Sequence, residues 1–351
     1  MKLEMLRENI DRIDQQILKL LNDRMEQAVM TRKFKKNTED DEREKIVLKK
    51  IYDNSHGLLK GDFTDRIYKI IIEESKKLQN IPCTVIGFQG EHGAYSEEAA
   101  KKWDNSGVTV PCLEFEDVFE GVEAGLYDYG LVPVENNLGG IVGEVNSLLL
   151  KKDLKVVAAV EMAVSHCLMI LPGSDYREVR NAFSHNQALS QCRDFLSRNK
   201  LEPAPYYDTA GAARMISRKQ LKGSAAIASR LAANLYGLEI IKENIQDRDD
   251  NKTRFFIISK VDDRKTKGSK CSIVFSTEHK TGSLFKTLNI FAEAGINLTR
   301  IESVPSAPGE FAFFLDFQIK EDDPAVKVLF DKLKEATTGF KVLGFYNEKT
   351  I

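Results

Sequence analysis

Arg24, Lys35, Ser75 and Gln79 are the first residues whose types and spacing could do chemistry. Leu3, Leu6, Ile10, Ile13, Ile17 and Leu20 alternate spacings of three and four, the a/d seam of a coiled coil, and Arg24 stands where the next core residue belongs. An arginine on a seam requires an anion, because a buried charge without a partner is strongly destabilising. Lys35 follows eleven residues later and returns to nearly the same helical face. Ser75 and Gln79 share a face of a later helix, and Asp40, Arg43 and Glu44 share the start of the helix between. The competing reading is a bundle decorated with surface ion pairs.

A second set lies at the ends of apolar strands. "YGLVPVENN" places Glu135, Asn136 and Asn137 directly after a buried run. "SHNQALSQC" holds Ser184 and Gln191, "NKTRFFIIS" opens on Thr253 and Arg254, and Gly87, Gly90 and Gly93 precede a helix that starts near Ser96. Polar residues at strand ends bind ligands in α/β sheets. Asn-rich clusters also make ordinary turns, so one such segment decides nothing, whereas four in one region favour a site.

These residues need elements to hold them. Residues 1–80 read as helix almost throughout, uninterrupted by glycine or proline until Gly57, with Thr38 as a helix cap before the acids of "EDDERE". Residues 83–260 alternate strands ("TVIGFQG", "YGLVPV", "KVVAAV", "RNAFS", "GSAAIAS") with helical patterns, which predicts a largely parallel sheet or two such sheets. "VDDRKTKGSK", residues 261–270, reads as a linker. The remainder, within 268–351, reads strand, helix, strand, strand, helix, strand, a ferredoxin-like α+β unit.

Composition excludes several classes. A net charge of −2 offers no field for nucleic acid, and no apolar run is long enough to span a membrane. Five cysteines without CxxC spacing and five histidines without HxH or HExxH predict reduced thiols, no metal site and a cytoplasmic protein.

"LRENIDRIDQQILKLLNDR" with "RKFK", "DERE" and "ESKKLQ" resembles the all-helical chorismate mutases. The resemblance implies that Arg7, Arg24, Lys35, Asp40, Arg43, Glu44, Ser75 and Gln79 line one pocket for chorismate. Rearrangement to prephenate is unimolecular, so the site must hold a compact conformer and stabilise charge on the breaking ether oxygen. Lys35 and Gln79 are the expected donors to that oxygen, and Glu44 and Asp40 the partners of the substrate hydroxyl. Arg7 and Arg24 are seventeen residues apart, roughly 25 Å along one helix. One small ligand cannot touch both, which predicts a homodimer or higher oligomer with sites shared between chains.

The strand-end clusters, with "TRF" and "VPVEN" the most specific, resemble prephenate dehydratase. That resemblance implies two α/β lobes around a cleft, as in periplasmic binding proteins, with Thr253 or a protonated Glu135 as the donor to the departing hydroxyl. Asn136, Ser184, Gln191 and Arg254 are then the expected substrate contacts. Aromatisation supplies the driving force, so no cofactor is implied. Asn186, Glu91 and Ala94 depart from the family pattern.

"TGSLFKTLNIFAEAGINLTRIESVPS" resembles an ACT domain, which implies phenylalanine as effector near Gly282, Ser283, Leu284, Asn297, Leu298 and Glu302. Val304 stands where relatives carry arginine. The three-part order is similar to the bifunctional chorismate mutase/prephenate dehydratases of phenylalanine biosynthesis. Alternatives are a monofunctional prephenate or arogenate dehydratase with a structural helical domain, and a solute-binding protein that uses the two lobes for capture alone.

Overall fold

The computed structural model describes residues 3–34, 40–264, 266–278, 280–307 and 310–351. The chain divides into two compact units between Val85 and Ile86.

The first unit is helical: α1 (Leu3–Thr31), α2 (Asp41–Asp53) and α3 (Gly61–Asn80). The cap of α2 is Asp40, whose carboxylate accepts the Arg43 N–H at 3.0 Å. Thr38, expected in that role, lies outside the described residues. The C-terminal half of α1 meets α3 through Arg24 and Ser75 and buries Val29 and Ile72. The N-terminal half differs: Leu3, Ile10, Ile17 and Leu20 of the seam are each more than half exposed in the single chain.

The second unit begins with β1 (Val85–Gln89), α4 (Tyr95–Trp103), β2 (Val108–Cys112), α5 (Phe115–Glu123), β3 (Tyr129–Asn136), β4 (Gly140–Ile141), α6 (Gly143–Lys151) and β5 (Lys155–Ala163). The chain then crosses to a second lobe: β6 (Cys167–Ile170), β7 (Asn181–Ser184), α7 (Asn186–Gln191), α8 (Arg193–Arg198), β8 (Glu202–Pro205), α9 (Thr209–Lys219), β9 (Ser224–Ala228), α10 (Arg230–Tyr236) and β10 (Glu239–Lys242). It returns as β11 (Lys252–Ser259). The last segment holds β12 (Lys270–Ser276), α11 (Ser283–Glu293), β13 (Leu298–Ala307), β14 (Glu310–Gln318), α12 (Ala325–Ala336), β15 (Thr338–Tyr346) and β16 (Glu348–Thr350).

Among the described residues, the first lobe is a sheet of order β16-β5-β11-β3-β1-β2, with β4 attached to β3. The second lobe has order β10-β6-β9-β7-β8. Both sheets are mixed rather than largely parallel. β11 re-enters the first lobe from its far end and so runs antiparallel to both β3 and β5. The segments that cross between lobes pair with each other: Val164 N–H donates to Asn251 O at 2.9 Å and Ile245 N–H to His166 O at 3.1 Å.

The last four-stranded sheet, β13-β14-β12-β15, with its two helices is the expected ferredoxin-like unit. Its outer face packs on α11 and α12 through Ile273, Phe275, Phe291, Leu315 and Leu333. Its inner face shares a core with the first lobe, where Val304, Phe314 and Leu343 meet Val118, Phe119 and Leu149. Both faces are thus dry, unlike most antiparallel sheets. Gly344 permits the closest approach, since a Cβ there would lie 2.1 Å from the carbonyl oxygen of Val156. The stretch read as a linker is fastened at fixed points: Tyr129 donates to Asp263 at 2.6 Å, and Arg264 pairs with Asp262 and Glu321. Its charges have complementary partners on both flanking domains, which a free linker lacks.

The glycine loop after β1 is held by Glu97 of α4, which is 1% exposed. Its carboxylate accepts from Gly93 N at 2.6 Å, Thr109 Oγ1 at 2.8 Å and Lys101 Nζ at 2.7 Å, and lies 3.1 Å from His92 Nδ1. Burial opposes the charge, but His92, Lys101 and Gly93 outweigh it and lower the pKa to about 2. The folded value lies below the unfolded one, so the stabilisation is full above pH ~4.3 and lost as pH falls toward 2. Glu97→Gln should cost on the order of 2–3 kcal/mol at pH 7. The gap between wild-type and variant urea midpoints should close as pH drops from about 5. A gap that ignores pH would show that the charge of Glu97 contributes nothing.

Candidate active sites

In the helical unit, Arg24, Asp40, Arg43, Glu44, Ser75 and Gln79 line one cavity of about 330 Å³. Arg24 Nη1 donates to Ser75 Oγ at 2.5 Å, and the Ser75 hydroxyl, 5% exposed, donates in turn to Ile71 O at 2.7 Å. Glu44 pairs with Lys76 at 2.5 Å. Gln27 and Lys76, which also line the cavity, were not among the expected residues. Lys35 lies outside the described residues. Arg7 is exposed near the far end of α1 and does not line this cavity.

Between the two lobes of the second unit is a cleft of about 520 Å³, lined by Asn136, Gln191 and Thr253 among the expected residues. Asn136 lies at the floor, 8% exposed. Its Nδ2 donates to Asn251 Oδ1 at 2.8 Å and Thr253 Oγ1 at 2.9 Å, and its Oδ1 accepts from Gly139 N at 2.7 Å. Thr253 Oγ1 accepts from Asn136 and has no acceptor for its own proton among the described residues, which suits donation into the cleft. The polar chain continues: Asn251 Nδ2 donates to Gln191 Oε1 at 3.0 Å, which lies 2.9 Å from His166 Nε2. The Tyr95 hydroxyl lies 2.7 Å from Nδ1 of His166 and 2.8 Å from the carbonyl oxygen of Ser165, so its one proton faces two acceptors when Nε2 is the ring donor. Burial lowers the pKa of His166 and keeps its ring neutral. Tyr95, His166 and Asn251 were not foreseen. His166 and Asn251 sit on the two crossover segments, and no spacing in the sequence marks a crossover.

The lining of the cleft offers helix N-termini rather than side-chain cations. No lysine or arginine is among the described residues that line it, whereas the first turns of α4, α6 and α9 do, through Tyr95, Ser96, Gly143, Glu144 and Thr209. Helix N-termini present free N–H groups and the positive end of the dipole. Glu91 of the glycine loop ties that loop to α9, accepting from Tyr207 at 2.6 Å and Arg214 at 2.6 Å. Asn186 begins α7, whose preceding residue, His185, lines the cleft.

Three expected cleft residues are elsewhere. Ser184 is fully buried and donates to Ile227 O at 2.6 Å inside the second lobe. Glu135 and Arg254 stand opposite each other on β3 and β11, one residue from the opposed pair Asn136 and Thr253. Side chains alternate along a strand, so this pair is turned from the cleft to the other face of the sheet. There Arg254, 6% exposed, donates to Glu135, Glu348, Asp316 and the Tyr346 hydroxyl. Burial opposes its charge, but Asp316, Tyr346 and Glu348 raise its pKa further still.

In the C-terminal domain, Gly282, Ser283 and Leu284 line a cavity of about 800 Å³ with Phe285, Phe311 and Phe313. Asn297, Leu298 and Glu302 are not among its lining residues. Val304 is 5% exposed within the core shared with the first lobe, which accounts for an apolar residue there.

Residues 86–263 match the prephenate dehydratase family, residues 6–80 the type II chorismate mutases and residues 272–336 the ACT domain. The bifunctional chorismate mutase/prephenate dehydratase of Aquifex aeolicus is 35% identical over 98% of both chains. The arogenate dehydratase/prephenate dehydratase 2 of Arabidopsis thaliana is 37% identical over 88% of this chain and 83% of its own length. A solved prephenate dehydratase from Arthrobacter aurescens in complex with L-Phe is 26% identical with a TM-score of 0.70, covering 75% of this chain and 89% of that one. Three domain matches in the same order, with a relative similar from end to end, make this chain a member of the bifunctional chorismate mutase/prephenate dehydratase family.

Proposed function

We propose that the chain converts chorismate to phenylpyruvate in two steps at two separate sites. The Asn136–Thr253 pair at the cleft floor carries the second step. Prephenate loses its ring carboxylate as CO₂, the electron pair moves through the ring, and the C–O bond to the ring hydroxyl breaks. The departing hydroxide needs a proton or a strong hydrogen bond. Thr253, whose oxygen accepts from Asn136, directs its proton there. The helical cavity performs the first step by holding chorismate compact between Arg24 and its partners, with Lys35 and Gln79 as donors to the ether oxygen.

Lys35→Ala should lower mutase kcat by about 10²–10³-fold. It should leave dehydration of added prephenate intact. Thr253→Ala should do the converse and keep prephenate binding within a few-fold. Loss of both activities in either folded variant would defeat the assignment of two independent sites.

The exposed seam on the N-terminal half of α1 and the distance of Arg7 from the cavity support a shared-site dimer in which the partner supplies Arg7. Mixing inactive Arg7→Ala with inactive Arg24→Ala should then restore mutase activity. Half of the dimers would be mixed, each with one undamaged site, so about a quarter of all sites recover. Verified subunit exchange without recovery would place Arg7 within its own chain's site.

A second reading concerns the substrate of the cleft. Glu144 and Asp208 line it, with no lysine or arginine among the described lining residues, and such carboxylates would suit the ammonium of arogenate. Phenylalanine is the proposed effector of the 282–285 cavity, supported by the phenylalanine complex of the Arthrobacter relative. Titration calorimetry of the whole chain should show phenylalanine binding, with inhibition weaker than in relatives that carry arginine at position 304. No heat on titration would reduce the domain to assembly.

A further inference from the structure

Behind the cleft floor lies a buried charged cluster that the two activities leave unexplained. Arg254, Asp316, Ser272, Tyr346 and Arg300 are each less than a tenth exposed. Only Arg254 belongs to the strand that carries Thr253; the other four belong to the ACT domain. Four N–H groups of Arg254 are committed: Nε to Glu348, Nη1 to Glu135 at 3.1 Å and to Asp316, and Nη2 to the Tyr346 hydroxyl at 2.8 Å. Asp316 and the Tyr346 hydroxyl are joined in turn by Ser272, which lies 2.6 Å from the latter. Arg300 approaches Glu135 at 3.4 Å and donates to Asn146 of α6 at 3.2 Å, and the first turn of α6 lines the cleft.

The charges balance. Arg254, Arg300 and Lys270 face Glu135, Asp316 and Glu348, and every pair crosses between the dehydratase lobe and the C-terminal segment except Arg254–Glu135 and Lys270–Glu348. Such a cluster is a poor source of stability, because desolvation offsets much of the attraction. What it does supply is direction. A planar guanidinium held at several points admits one orientation, and the residue before it on β11 is Thr253. Likewise Glu135, held by two arginines, precedes Asn136 on β3.

We propose that Arg254 is a positioning residue for dehydration: it anchors the Thr253 strand to the ACT domain, and it does not bind substrate. The proposal rests on Thr253 as the proton donor. The ACT domain is then a structural part of the dehydratase site as well as its candidate regulator.

The test uses the full chain and first varies the ACT side of the cluster. Asp316→Asn removes the charge facing Arg254 and should lower dehydratase kcat by about 10- to 100-fold, the effect expected of a small misplacement of a reacting group. KM for prephenate should stay within about twofold. Tyr346→Phe, nearly isosteric and therefore foldable, should show the same pattern at about 3- to 10-fold. Mutase activity in the same preparation should be unchanged and serves as the control for intact protein. Arg254→Lys should retain more kcat than Arg254→Gln, because the charge survives while the fork is lost. Two results overturn the proposal: a raised KM with unchanged kcat in Arg254→Lys, which would mark a substrate contact, or wild-type kcat in both Asp316→Asn and Tyr346→Phe. Failure of the Thr253 reading is separable, since Thr253→Ala would then be active whatever these variants do.

Discussion

The antiparallel pairing of β3 with β11 is the constraint on which the dehydratase half depends. Thr253 stands opposite Asn136 and Arg254 opposite Glu135. Strand geometry sends neighbouring residues to opposite faces. One pair therefore meets the cleft and the other meets the ACT domain, and neither can move alone. A one-residue slip would exchange them, bringing a buried arginine into the site and a threonine into an ionic cluster. The shared core of Val304, Phe314 and Leu343 with α5 and α6 opposes such a slip, because it fixes the sheet against its neighbour.

The second organising feature is the double crossing between lobes. His166 and Asn251 lie on the two crossing segments, and their side chains join Gln191 of the far lobe to Asn136 of the near one. A closing motion that moved the lobes apart or together would work on this chain directly. The glycine loop is tied on both sides, by Glu97 within its lobe and by Glu91 to α9 across the cleft. Rigid supports around a few polar groups suit a reaction whose driving force is aromatisation and whose catalyst must chiefly orient.

The helical unit follows the same economy, with the cations Arg24 and Arg43 and the amide of Gln79 around one cavity. α1 continues well past the part that meets α3, and among the described residues the leucines and isoleucines of its N-terminal seam are left exposed. That exposed stripe is the observation from which the shared-site dimer is proposed.

Periodicity and residue type were enough to read several things directly. The three-and-four spacing of Leu3 to Leu20 marked α1, the alternation of apolar runs with helical patterns marked the two-lobed region, and the final βαββαβ order marked the ACT unit. Ser75 and Gln79 were legible as neighbours on one helical face because helical faces follow from spacing alone, whereas a pocket shared with Arg24 of another helix was implied only by the resemblance to chorismate mutases. Thr253 and Asn136 were legible as strand-end polar residues. Their neighbours were not, for a physical reason. β3 and β11 are buried on both faces, so their apolar runs carry no alternation from which to read the phase. Which of Glu135 and Asn136, or of Thr253 and Arg254, faces the cleft is set by register against partner strands and by the domain packed behind. Those contacts join residues 60 to 120 positions apart. The sequence by itself determined the chemistry available at each strand end; only the tertiary structure decided which side of the sheet would use it.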